Sequence, residues 1–452
     1  MIRISPDEAV NQDELFSSPD RTTRQRKKGP FGRFLRILGP GVITGAADDD
    51  PSGIASYSQA GAQFGFATPW VMLMSLPLMT AVQEACMRIG AVTGKGLAAV
   101  IREHHGRKLL YPVVVLVVFA NTLNIGSDIG AMAASTQLLV PLSYPFLAVV
   151  FALLMLVLEV FVSYKAYVKV LKWLAIALFA YPITAFIVHI NWIEALKQTI
   201  IPQITFSKAF IYILVAILGT TISPYLFFWQ TSEVVEEEIK AHRLTIMAIR
   251  PPKISRRYLR GLRLDNFLGM AFSSVTAWFI IVVAAVTLNQ HGITNINSAA
   301  DAAKALEPLV HGFPNAGYAA KVIFSVGVIG IGLLSVPVLA GSSSYAISEA
   351  FGWREGLFRK FRQARAFYAV IIVGTLAGLS FNFIGINPIQ ALVFTAVFNG
   401  IAAVPLIFIL ARLSAREDVL GEYRGRFWSK LGLWSAWVVM TLAALALLIS
   451  FL

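Results

Sequence analysis

Ile37-Leu-Gly-Pro-Gly-Val-Ile-Thr-Gly-Ala-Ala-Asp-Asp-Asp-Pro-Ser-Gly-Ile-Ala-Ser-Tyr-Ser-Gln-Ala-Gly61 is an apolar segment with three consecutive carboxylates, Asp48, Asp49 and Asp50, at its centre. Its flanks suit lipid. Charge at bilayer depth is costly and faces a partner or a water-filled path. Irregular backbone at that depth is tolerated only where it lines a cavity. Pro51 and Gly53 put both features at one point, which reads as a broken helix carrying a cation site. Asp50-Pro51 also reads as an ordinary helix start, with Asp as N-cap and Pro at the first position. The two readings are compatible, because the second half-helix must begin there.

The rest of the chain places that segment in a membrane. Of 452 residues, 57% are hydrophobic and 14% charged, and mean hydropathy is +0.68. Soluble domains carry about 25% charged residues. A span needs about 20 mostly apolar residues, and eleven candidates are found, near 37–64, 68–92, 110–136, 143–164, 166–190, 207–239, 266–289, 317–347, 365–385, 388–412 and 428–451. Residues 1–30 are polar and basic with no apolar core, so they read as a disordered cytoplasmic tail and not as a signal peptide. Lys and Arg collect in alternate loops, at 102–108, 165–172, 240–263, 354–365 and 412–430. That asymmetry puts the N-terminus inside and, after eleven spans, the C-terminus outside a cell (inner) membrane. It also explains the net charge of +13 without nucleic acid. The single cysteine, Cys86, excludes an internal disulfide and a thiolate metal cluster.

A second break lies in span six, Leu218-Gly-Thr-Thr-Ile-Ser-Pro-Tyr-Leu-Phe-Phe-Trp-Gln230. Pro224 removes a backbone donor and clashes with the preceding turn. A lone proline kink is common in such helices. Here Pro51 and Pro224 sit in the first helices of two successive groups of five, 31–190 and 207–412, with 428–452 as an added helix. Five spans is an odd number, so the second group enters the membrane inverted. Interrupted helices at matching positions of inverted halves point to a transporter site at mid-membrane. Helix ends there leave free carbonyls with partial negative charge, which join Asp50 in an oxygen-rich cation site. The expected fold is therefore an all-α polytopic membrane protein with an inverted 5+5 repeat and broken helices one and six.

Gly39-Pro-Gly followed by Asp50-Pro-Ser-Gly53 resembles the NRAMP divalent-metal transporters, whose first helix carries a GPG element and an Asp-Pro-Gly-Asn break. Gly219-Thr-Thr-Ile-Ser-Pro-Tyr225 is similar to that family's Met-Pro-His break. The resemblance covers about residues 31–450. It implies a LeuT-like fold with eleven helices and a transported divalent metal ion, with no resident cofactor. Carried over by position, the ligand Asp falls on Asp50, the carbonyl ligands on Ala47 and Thr220, the Asn on Gly53 and the Met on Ser223. A closing Gln in the tenth helix falls near Phe398 or Asn399. The departures matter too. The thioether that favours soft Mn²⁺ and Fe²⁺ is absent, and Ser223 offers a hard oxygen. Gly53 deletes an amide and is expected to leave space. Such a site suits an ion that keeps its waters, and Mg²⁺ dehydrates reluctantly. The pattern is similar to the NRAMP-related magnesium transporters. Mn²⁺ and Fe²⁺ accept oxygen ligands as well and stay open on sequence alone.

Proton coupling is expected to be lost. Aligned on Ile129-Gly130, the family's acidic positions become Asn124 and Ser127, and its histidines become Tyr225 and Gln230. Neither Tyr nor Gln titrates near neutral pH. Asp128 either replaces the missing acids, pairs with a buried donor, or faces the outer vestibule. Asp48 and Asp49 form an outer cation-attracting ring, solvate the cavity mouth, or cap the break. Glu84 and Arg88 are spaced for a helical ion pair. Glu159 has no obvious partner. Residues 295–304 read as an amphipathic helix in an outer loop. Without a Walker-type loop or a nucleophile–base set, ATP-driven pumping and enzyme chemistry are not expected. The expected partners are a divalent cation and the lipid bilayer, and the expected state is a monomer. The rival reading is an organic-substrate symporter of the same fold, or a proton-coupled Mn²⁺/Fe²⁺ symporter.

Overall fold

Pro51 opens the first continuous helix among the described residues of the computed structural model, which are 45, 48–162, 178–240, 244, 254–312 and 315–451. The helices in order are α1 (Pro51–Phe64), α2 (Trp70–Thr93), α3 (Leu97–His105), α4 (Arg107–Gln137), α5 (Tyr144–Phe161), α6 (Ala180–Ile187), α7 (Trp192–Ile200), α8 (Lys208–Thr221) and α9 (Pro224–Lys240). They continue as α10 (Arg256–Thr287), α11 (Ala316–Phe351), α12 (Arg365–Ser380), α13 (Pro388–Ala415) and α14 (Phe427–Ser450). Among the described residues nine helices are long and apolar enough to cross a membrane, with Lys208–Ile239 counted once across its break. The tail 1–30, Gly39-Pro-Gly, Ala47 and residues 163–177 of the expected fourth and fifth spans lie outside the described residues.

Burial sorts these helices into centre and rim. In the broken span α8–α9, 83% of the most apolar stretch is buried, and in α11 78%. In α5, α12 and α14 the figure is 28%, leaving their large apolar side chains for lipid. α4 packs on α11, α12 and α13, α8 on α13, and α1 on α10. Small residues allow the close approaches, as is usual where helix association cannot draw on a hydrophobic driving force. A Cβ on Gly219 would overlap the carbonyl oxygen of Ala396 and the amide of Gly400, and one on Gly61 would overlap the carbonyl of Ile281.

Three boundaries differ from expectation. α10 starts at Arg256 and not near 266, because Ser255 caps it, its Oγ accepting from Tyr258 N, and its basic first turns extend beyond the apolar stretch. α11 runs to Phe351 and ends at Gly352, whose φ of 72° is left-handed. The outer amphipathic helix expected at 295–304 is shorter: 293–298 is not helical, and only Ala299–Ala303 forms an α-helical turn, followed by a 3₁₀ segment at Lys304–Val310. α3 was not expected at all. Its N-terminus is capped from another helix: Ala99 N donates to Glu349 Oε2 at 3.1 Å, and Ser232 Oγ of α9 donates to Glu349 Oε1 at 3.0 Å. A Cβ on Gly96 would overlap that carboxylate, which would have to shift and give up its capping position. The Glu84–Arg88 ion pair forms as expected and also takes Arg263 Nε at 2.8 Å.

Candidate functional site

Asp50 sits at the N-cap of α1, with extended backbone at φ −61° and ψ 172°. Its Oδ1 accepts from Ser52 Oγ at 2.5 Å and from Gly53 N at 2.9 Å. Its Oδ2 accepts from Asn124 Nδ2 of α4 at 3.2 Å. Both oxygens of the carboxylate thus accept hydrogen bonds at a helix N-terminus. Across from it α8 stops at Thr221 and α9 begins at Pro224. Ser52 Oγ lies 3.4 Å from Thr220 Oγ1, and Tyr57 Oη lies 3.3 Å from Thr221 Oγ1, so the two breaks touch. Ser223 Oγ is 2.8 Å from the carbonyls of both Gly219 and Thr220, so its one proton is shared between them and its lone pairs remain. The Asp50 carboxylate thus lies at one break and the Gly219 and Thr220 carbonyls at the other, all of them oxygen ligands.

The neighbouring acids are equally buried. Asp48 and Asp49 are fully buried on the α10 side, not on an exposed outer ring, and the solvated reading of the cavity mouth falls with it. Ser273 Oγ donates to Asp48 Oδ2 at 2.7 Å and lies 3.0 Å from Asp49 Oδ1, while Asp48 Oδ1 and Asp49 Oδ2 have no hydrogen-bond partner among the described residues. Asp128, one turn beyond Asn124 on α4, accepts from Ser335 Oγ of α11 at 2.7 Å. It is fully buried, which fits the buried-donor reading and not the vestibule one. Among the described residues, no ion pair includes Asp48, Asp49, Asp50 or Asp128. Four carboxyl groups held out of water with no basic partner among the described residues are costly to ionise.

The remaining expected positions are less uniform. The space expected beside Gly53 is taken: a Cβ there would lie 3.2 Å from both Thr220 Oγ1 and the Tyr57 ring. Asn399 is buried on α13, and both atoms of its amide lack partners among the described residues, next to the Gly219–Gly400 crossing. Tyr225 is buried, and its carbonyl accepts from Ser342 Oγ at 2.7 Å. Glu159 on the rim helix α5 has no partner for either oxygen among the described residues. Ala47 lies outside the described residues. Ser52, Ser273 and Ser335 were not singled out beforehand, and Asn124 only as a lost acid. A polar side chain inside an apolar span was the available signal.

A buried carboxylate at the head of one half-helix, in contact distance through Ser52 of the break in a second span of an all-helical membrane-spanning fold, defines a transporter of LeuT-like architecture. Comparison with known proteins agrees. The chain resembles a manganese transporter from Eremococcus coleocola with a TM-score of 0.69 at 16% identity, covering 96% of this chain and 90% of the other. It resembles MhsT in complex with L-phenylalanine with a TM-score of 0.53 at 15% identity, covering 91% and 98%. Among sequence relatives, the divalent metal cation transporter MntH of Verminephrobacter eiseniae is 26% identical over 430 residues, 94% of this chain and 89% of the relative. MntH of Deinococcus radiodurans is 25% identical over 406 residues, 87% and 85%. Residues 41–450 match the family described as Nramp, natural resistance-associated macrophage protein-like. The chain belongs to the Nramp family.

Proposed function

We propose that this chain carries divalent metal cations across the plasma membrane by alternating access around Asp50, with its N-terminus cytoplasmic and its C-terminus outside. The observation that carries the reading is the Asp50 carboxylate, held at the head of α1 by Ser52, Gly53 and Asn124 and set against the end of α8 at Thr220. The metal ion is the cargo. Its ligands are Asp50, the Thr220 carbonyl, Ser223 and, by position, Ala47, with Asn399 closing over it from α13. Gly53 takes part by bringing Thr220 close. Alternating access moves the half-helices and not the ligand chemistry, so the same oxygen set serves both sides.

The favoured cargo is a hard ion such as Mg²⁺. No thioether stands at the break, and every donor there is oxygen. The solved structure from Eremococcus coleocola is of a manganese transporter, which favours Mn²⁺ instead. Uptake does not require protons, because Asn124 and Tyr225 occupy the positions where titrating groups were expected, and Asp128 is tied to Ser335. Metal-by-metal uptake into proteoliposomes tests the cargo. Mg²⁺ uptake that Mn²⁺ competes for weakly supports the hard-ion reading. Strong preference for Mn²⁺ overturns it, and uptake of no divalent ion overturns the cargo.

A further inference from the structure

Two cavities adjoin on the side of the molecule where α1 ends and α8 and α13 begin. The outer one, of about 540 Å³, opens between the N-terminal turns of α8 and α13 and the end of α1. The inner one has about 10 Å³, room for a single water at most, and reaches Pro51 at the break. Both are lined by Ile296 and Ile389, which are 4% and 6% exposed. Two apolar side chains are thus the wall between them, and an ion cannot pass such a wall without its water.

Ile296 lies in the non-helical stretch 293–298, and that stretch is strapped at both ends. Gln59 of α1 holds it with both atoms of its amide: Nε2 donates to Thr294 O at 3.1 Å, and Oε1 accepts from Ile296 N at 2.8 Å. Asn387, the N-cap of α13, donates from Nδ2 to Asn297 O at 2.8 Å, while its Oδ1 caps the helix. The strap therefore bridges α1 and α13. It cannot stay bonded to both if those helices part.

We propose that 293–298 is a plug closing the path from outside to Asp50, and that Gln59 is the positioning residue that latches it. The proposal rests on reading Asp50 as the transport site. Opening exchanges the two Gln59 bonds for water, with Ile296 leaving Ile389, so the latch sets the population of the open state. Removing the latch raises that population about tenfold, the effect of losing two hydrogen bonds whose net contribution is modest.

The test uses a Cys86→Ala background with one reporter thiol at a time and a charged, membrane-impermeant thiol reagent added outside. Ser135→Cys reports from the inner cavity, and Asn295→Cys from the outer one. Gln59→Leu should speed labelling of the inner reporter about tenfold and leave the outer one unchanged. Asn387→Asp keeps the helix cap but loses the donor to Asn297, so it is expected to fold and to act in the same direction should Gln59→Leu fail to fold. Unaltered inner labelling in both variants, or equally fast inner and outer labelling in the parent, overturns the plug. Labelling needs no metal. A latch effect in a protein that moves no divalent ion would sink the cargo and leave the plug standing.

Discussion

Asp50 has two duties that can be separated by substitution. As an N-cap it accepts from Gly53 N and Ser52 Oγ, and as a charge it faces the end of α8. Asp50→Asn keeps a side-chain oxygen for the cap, since Asn caps as well as Asp, and removes the charge. Asp50→Ala removes both. Because each variant loses the same buried charge, their difference in stability isolates the hydrogen bonds. Asp50→Asn puts an amide NH2 where Oδ2 accepted from Asn124 Nδ2, so that donor loses its acceptor in both variants and drops out of their difference. Asp50→Ala should therefore be less stable than Asp50→Asn by the cap alone, about 1 kcal/mol. The difference between Asp50→Asn and the native protein combines the charge with the Asn124 acceptor, and there the metal separates the two. At 100 times its dissociation constant a divalent ion stabilises the native fold by about 2.7 kcal/mol, and it should stabilise neither variant. Thermal unfolding in detergent, with and without Mg²⁺ or Mn²⁺, measures both differences, and proteoliposome uptake should vanish in both. A metal-dependent rise that survives in Asp50→Asn would refute the charge argument. An Asp50→Ala protein as stable as Asp50→Asn would refute the capping argument.

Ser223→Met should raise the Mn²⁺/Mg²⁺ uptake ratio by adding a soft ligand; an unaltered ratio would show that Ser223 does not face the ion. Metal uptake should proceed without acidification of a pH dye trapped in the liposomes, and acidification that Asp128→Asn abolishes would show that Asp128 moves the proton. In the loop after α11, burial and then the neighbouring Glu349 carboxylate push Glu355 well above the usual carboxylate range, with Arg102 and Arg359 pulling it back. An acid whose folded value is raised binds more proton in the folded state, so its contribution falls as pH rises from about 4.5 through the folded value. Glu355→Gln should then raise the unfolding midpoint at pH 8 and leave it unchanged at pH 4, and an equal shift at both would disprove the linkage.

The breaks were legible because their chemistry is local. Asp, Pro and Gly punctuate an apolar run wherever they fall, and α8 and α9 divide where Pro224 required it. The partners of the site were not legible. Ser and Thr inside apolar helices commonly bond back to their own turn, as Ser127 Oγ does to Leu123 O at 3.0 Å and Thr122 Oγ1 to Val118 O at 2.7 Å. Nothing in residue type distinguishes these from Ser273 and Ser335, which reach across to acids on other elements. Helix α3 was missed for a related reason. Nine residues are marginal alone, and its cap, Glu349, lies 250 residues away from Ala99.

The position of Gln59 on the same helix as Asp50 gives the site and the plug a mechanical link. Nine residues at about 1.5 Å each place the latch about 13.5 Å along α1 from its cap. α1 has a proline only at its start and packs along α10 at Gly61, so it moves as one piece. An ion that draws on Asp50 Oδ1 competes with Gly53 N, the bond that fixes the first turn. A shift at that turn is carried by the helix to Gln59, where two hydrogen bonds hold 293–298 in place. In the proposed cycle, loading of the site and release of the plug are thus opposite ends of one rigid element. Charge at Asp50 should therefore alter how often the plug opens, even when no ion is bound.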